Sequence, residues 1–142
     1  MGKPADDRRR QYAALPWREG ARGVEVLLVT SRETRRWIVP KGWPMRDRSG
    51  PQAAAQEAFE EAGVRGVIGP SPLGVFNYLK RMADGSGRHC AVRVFALEVE
   101  ETLDVWPEMT QRERRWMSLT DAAVAVDEPE LKALILGFVP LN

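Results

Sequence analysis

The stretch GWPMRDRSGPQAAAQEAFEEAGV, residues 42–64, decides how the chain is read. Its weight falls on Glu57, Glu60 and Glu61, which close on Gly63. Positions i, i+3 and i+4 are neighbours on a helix of 3.6 residues per turn, so the three carboxylates share one face. Ala55, Ala58, Phe59 and Ala62 fall on the opposite face. Like charges at this spacing destabilise an isolated helix by roughly 0.2–0.5 kcal/mol per pair. A divalent cation turns that repulsion into binding, and clustered hard oxygens suit Mg²⁺ or Mn²⁺. An acidic helix face by itself is ordinary solvated surface, so the flanks matter. Ser49 and Gly50 precede Pro51, which suits the first helical position. Gly63 suits the left-handed residue that ends a helix. Upstream, the strand-like WIVP at 37–40 runs into Lys41-Gly42, which bends the chain back over the helix. A strand, a glycine loop and a carboxylate helix in that order make a loop-helix-loop arrangement suited to a metal.

Outward from this segment, 142 residues suffice for one core that buries most of its apolar surface. Lys and Arg number 21 against 20 Asp and Glu, so bulk charge gives no argument for a nucleic-acid or membrane partner. No apolar run approaches the roughly 20 residues that span a bilayer. The start, MGKPADDRRRQY, is polar and lacks the apolar stretch of a secretory signal, which leads to an expected cytoplasmic location. Cys90 stands alone at strand spacing from Val92 and Val94, as a buried core residue rather than a nucleophile.

Residues 1–10 read as a disordered basic lead and 11–142 as a single domain. Strands are expected at 11–17, 24–30 and 36–39, with REGARG at 18–23 as the turn between the first two. After the carboxylate helix, 66–72 is rich in Gly and Pro and reads as a connection. Residues 73–82 and 89–99 form a hairpin around ADGSGR. In its second arm Cys90, Val92, Val94 and Ala96 share one face. A last strand follows at 114–119. Thr120 is the expected cap of a short helix through Val126, and Asp127 with Pro129 opens a final helix to about Phe138. Mixed strands with flanking helices indicate an α/β fold, an α/β/α sandwich.

The quoted segment resembles the box motif of the Nudix hydrolase family. The opening glycine matches Gly42, the E-U-x-E-E run (U apolar) matches Glu57-Ala58-Phe59-Glu60-Glu61, and the close matches Gly63-Val64, without insertion. Two positions depart from the motif. Arg48 stands in place of its first glutamate and Gln56 in place of the arginine that orients the metal-binding glutamates. The resemblance implies a Nudix-type α/β/α sandwich with a mixed sheet, and hydrolysis of a phosphoanhydride (pyrophosphate) bond. It implies Mg²⁺ or Mn²⁺ surrounded by Glu57, Glu60, Glu61 and the backbone carbonyl of Gly42, with Glu60 as ligand or base. The general base lies outside the box in many subfamilies, and Glu108 and Glu113 are candidates here.

The segments TSRETRRWIVPKGW, GVFNYLKR and RERRWMSLTDA are similar to one branch of the family, the diphosphoinositol polyphosphate and diadenosine polyphosphate hydrolases. On that reading Arg36, Lys41, Lys80 and Arg112 are substrate contacts, since guanidinium and ammonium groups bind phosphates. Two other readings stay open: hydrolysis of nucleotide sugars or nucleoside triphosphates, and a non-catalytic nucleotide-sensing module. Trp43 and Trp106, beside prolines in loops, are candidates to stack on a nucleobase. His89, the single histidine, reads as a surface or hydrogen-bonded strand residue. The partner is a small phosphoanhydride substrate; oligomeric state is not legible.

Overall fold

The computed structural model describes residues 9–140. In chain order its elements are β1 (Arg9–Gly20), β2 (Gly23–Thr30), β3 (Trp37–Ile38), β4 (Lys41–Gly42), α1 (Gly50–Glu57) with a π-helical continuation Ala58–Ala62, β5 (Val64–Ile68), β6 (Gly74–Arg81), β7 (Gly87–Thr102), β8 (Arg114–Ser118), α2 (Leu119–Ala125) and α3 (Pro129–Leu136). β1 takes in Arg9 and Arg10, two residues before the expected start, and these pair with Cys90 and Ala91. Residues 1–8 of the expected lead lie outside the described residues.

The eight strands form one mixed sheet, in which β1 and β7 run parallel and the remaining pairs antiparallel. Side chains alternate across a strand, and here both faces are covered. β1 sends Ala13, Leu15 and Trp17 to one core and Ala14 to the other. In β7, Val92 and Val94 go to the first core while Phe95 and Leu97 go to the second. The first core is closed by Ala122 and Ala123 of α2 and Leu131 and Ile135 of α3. Ala54, Ala58 and Ala62 of the carboxylate helix close the second. The expected α/β sandwich with a mixed sheet is therefore what forms. Cys90 is buried, as expected.

Three local expectations are corrected. β5 occupies part of the stretch read as a connection, and Gly66 explains the difference. The pairing with β7 shifts register between Arg65 and Gly66, and a Cβ on Gly66 would collide with the Glu98 carbonyl oxygen. The glycine that reads as a strand breaker is what permits this bulge. The cap of α2 is Ser118 rather than Thr120: its Oγ accepts from the Asp121 N–H at 3.1 Å. The N-cap position of α3 is Glu128, without a side-chain cap, because Asp127 faces Arg36 instead.

Candidate active site

The carboxylate helix is held at its start by a reciprocal cap. Ser49 Oγ accepts from the Gln52 N–H at 3.2 Å, and Gln52 Oε1 accepts from the Ser49 N–H at 2.9 Å. Beyond Glu57 the turn widens to π-helical, and Gly63 ends it at φ +66°, the left-handed conformation its type was expected to take. With Ala58 and Ala62 buried against the sheet, Glu57 and Glu61 face the other way and hydrogen-bond to one another. Glu61 is only 5 % exposed. Burial pushes its carboxyl up to about 8, with Glu57 acting in the same direction and Arg112 and Lys41 against it. Burial also raises Glu57, helped by the charges of Glu60 and Glu108.

The glycine loop lies directly on this pair. β4 pairs with β1 through Tyr12 opposite Gly42 and Ala13 opposite Lys41, which anchors the loop to the sheet. The Lys41 N–H donates to Glu61 Oε1 at 3.3 Å. A Cβ on Gly42 would collide with the Glu57 carboxylate, so glycine is required for the backbone to approach it.

Glu57, Glu61 and Gly42 line a cleft of about 590 Å³. Lys41 sits with its Nζ 4.8 Å from the centre of the Tyr78 ring, and burial lowers its pKa against the opposing pull of Glu61. Tyr78 in turn donates to buried Gln11 at 2.6 Å. Neither Gln11 nor Tyr78 was singled out from the sequence, where each stands beside a polar neighbour and carries no such signal. Lys80 and Arg36, the other expected phosphate contacts, also line the cleft. The Arg36 guanidinium is engaged by Asp127 at 2.9 Å and Glu128 at 3.8 Å.

Arg112 is placed differently from a free substrate contact. Its buried guanidinium donates to Glu108 at 2.8 Å and to the Thr30 carbonyl at 3.0 Å, with Nη2 3.7 Å from Glu61. Glu108 lines the cleft, whereas Glu113 pairs through its backbone with Thr30 and is not among the described lining residues. Glu60 accepts from Gln56 Nε2 at 2.7 Å and is not among the described lining residues. Thus the glutamine at the motif's arginine position orients a glutamate, through an uncharged donor. Trp43, 38 % exposed, and Leu79, 60 % exposed, both line the cleft. Trp106 is withdrawn from base stacking: its Nε1 donates to the Glu61 carbonyl at 3.1 Å and the Arg114 guanidinium covers its ring at 3.8 Å. His89 is exposed on β7 and is not a described lining residue.

Among the described residues, no three His, Cys, Asp or Glu side chains converge into a ready-made metal cage. The donor chemistry nonetheless fits a magnesium-type ion, which is held by one or two carboxylates together with waters and substrate phosphates. Two adjacent carboxyls whose charged forms are disfavoured by burial and mutual repulsion supply that donor set, and glycine backbone lies against one of them.

Residues 7–136 match the family model described as the NUDIX domain. Among curated proteins the chain is 38 % identical over 104 residues to Nudix hydrolase 13, mitochondrial, of Arabidopsis thaliana, covering 70 % of this chain and 52 % of the relative. It is 36 % identical over 143 residues to diphosphoinositol polyphosphate phosphohydrolase 3-alpha of Mus musculus, covering 94 % of this chain and 82 % of the relative. The chain spans about half the length of the first of these. Among solved structures it superposes on the C. elegans Ap4A hydrolase with a TM-score of 0.65 at 20 % identity, over 91 % of this chain and 94 % of that one, a likeness of fold.

Proposed function

The chain belongs to the NUDIX family, and on that premise we propose that it hydrolyses a phosphoanhydride bond of a polyphosphate substrate with the help of Mg²⁺ or Mn²⁺. The observation that carries this reading is the Glu57–Glu61 pair, set on a rigid helix at the floor of a cleft whose walls carry Lys41, Lys80 and Arg36. Glu57 and Glu61 would hold the cation, with the Gly42 backbone and Glu60 as further donors. A bound divalent cation neutralises charge on the phosphate oxygens and lowers the pKa of a water.

The chain's own groups do the rest. Lys41, Lys80 and Arg36 bind and orient the phosphates, so that water meets phosphorus in line with the bridging oxygen that leaves. Arg36 is free to do so because its pair with Asp127 is exposed, and exposed pairs contribute only about 0–1 kcal/mol. Glu108, beside the carboxylate pair, accepts the proton of the attacking water. Arg112 keeps Glu108 and Glu61 in place and presents Nη2 toward the cleft. The small-molecule partner, the cytoplasmic location and the single domain at 11–142 are parts of the same proposal.

Two substrate types suit the walls: a dinucleoside polyphosphate such as diadenosine polyphosphate, and a diphosphoinositol polyphosphate. The exposed Trp43 and Leu79 of the cleft lining favour the first, because an aromatic face and an aliphatic side chain match a nucleobase and not an inositol phosphate. Phosphate and nucleotide release is measured across both types, nucleotide sugars and nucleoside triphosphates, with Mg²⁺ or Mn²⁺ and with chelator. Metal-dependent cleavage of one class supports the reading. Metal binding without cleavage of any class would transfer it to a nucleotide-sensing module.

Gln56→Arg is a second test. Arginine supplies a charged, forked donor that can pair with a carboxylate bidentately. The substitution is therefore expected to raise kcat by about threefold, under 1 kcal/mol of barrier. A clear loss of kcat would mean that the site is built around glutamine.

A further inference from the structure

The last carbonyls of a helix have no partner within it. Here four in succession are taken by one remote segment, residues 103–114. Glu60 O accepts from the Glu108 N–H at 3.0 Å, and Glu61 O from Trp106 Nε1 at 3.1 Å. Ala62 O accepts from Arg114 Nη1 at 2.9 Å, and Gly63 O from the Leu103 N–H at 2.8 Å. Arg114 ties the segment to itself as well, donating from Nη2 to Leu103 O at 2.7 Å and stacking at 3.8 Å on the Trp106 ring. Gly63 makes room for this contact: a Cβ there would stand 2.7 Å from both the Arg114 guanidinium and the Trp106 ring.

Water, or glycine in its left-handed conformation, would satisfy a helix end for stability alone. A row of four ties to one segment does something more: it fixes the rotation and advance of the final turn, and Glu61 sits on that turn. The segment also delivers Glu108 and Arg112 to the cleft, where Arg112 lies 3.7 Å from Glu61. Carboxylate pair, candidate base and buried arginine are thus set by a single framework. We infer that residues 103–114 form a positioning clamp for the Glu57–Glu61 pair, with Trp106 and Arg114 as positioning residues. The inference rests on the functional reading above, and it gives Trp106 a role that its place beside a proline in a loop does not suggest.

The test uses the full chain. Trp106→Phe keeps a ring beneath Arg114 and removes only the donor to Glu61 O. Arg114→Lys keeps the charge and removes the fork. Mn²⁺ binding is followed by loss of the free ion's paramagnetic signal, alongside kcat, KM and the thermal midpoint in chelator. Partners that orient metal ligands typically contribute 10–100-fold, so Trp106→Phe is expected to weaken Mn²⁺ binding and lower kcat by about tenfold or more, with KM unchanged. Arg114→Lys is expected to do the same despite its conserved charge, and decides the matter should Trp106→Phe not fold. Wild-type Mn²⁺ affinity in both variants would overturn the inference and leave the functional proposal standing. So would a fall in the thermal midpoint alone, which would assign the segment to stability. A wild-type chain that binds no Mn²⁺ and cleaves nothing would overturn both.

Discussion

Glu61→Gln is expected to lower kcat by at least ~10³-fold, about 4 kcal/mol of transition-state stabilisation, while making the metal-free protein more resistant to heat at neutral pH. Both effects have one origin. Glu61 is buried beside another carboxyl, an arrangement that disfavours its charge unless a cation is present. Its carboxyl ionises at 4.5 in the unfolded chain and at about 8 in the folded one, so the folded state holds the proton more tightly. The stability this group contributes is complete below pH 4.5 and is lost as pH rises toward 8. Glutamine has no such slope. It still accepts from the Lys41 N–H and donates to Glu57, and Arg112 keeps its bonds to Glu108 and Thr30. In chelator, the difference in thermal midpoint between variant and wild type should therefore widen from pH 5 to pH 8. Adding Mg²⁺ should stabilise the wild type and leave the variant unmoved. Near-normal turnover by Glu61→Gln would remove Glu61 from the metal site altogether.

How far the sequence reaches into this site depends on what kind of information each residue carries. Glu57, Glu61 and Gly63 were legible because helical spacing and end chemistry are local properties. The bond from Gln56 to Glu60 was not legible, because the spacing argument assumes 3.6 residues per turn and the turn after Glu57 is π-helical. The two-core alternation of β1 and β7 could be read as strand, but β5 could not, since Gly66 signals a break until its partner across the bulge is known. Arg112 and Arg36 look alike as arginines in basic loops. Only tertiary contacts separate a buried guanidinium bonded to Glu108 and Thr30 from one held by an exposed aspartate. Trp106 belongs with them: a loop tryptophan beside a proline reads as an open face, and its indole N–H turns out to be the informative atom.

The same distinction, between a residue's type and what presses against it, sets the expected outcome for Gly42→Ala: a loss of roughly 10²-fold in kcat, about 2.7 kcal/mol, with the fold retained. In most glycine loops a methyl group is absorbed by solvent. Here it would occupy the space of the Glu57 carboxylate, and the side chain rather than the backbone has to yield. The Gly42 backbone is pinned to Tyr12 in β1, and the Lys41 N–H is already committed to Glu61. Glu57 must therefore rotate away, which breaks its hydrogen bond with Glu61 and separates the two donors. Displacements on the order of 1 Å at a reacting centre are enough for a loss of this size. The global cost should stay small, since Gly42 lies in the two-residue β4, outside both apolar clusters. Circular dichroism, thermal midpoint and Mn²⁺ affinity, measured together with kcat, separate these effects. A folded Gly42→Ala protein with full activity would show that Glu57 is dispensable, and the carboxylate pair would no longer be the centre of the chemistry.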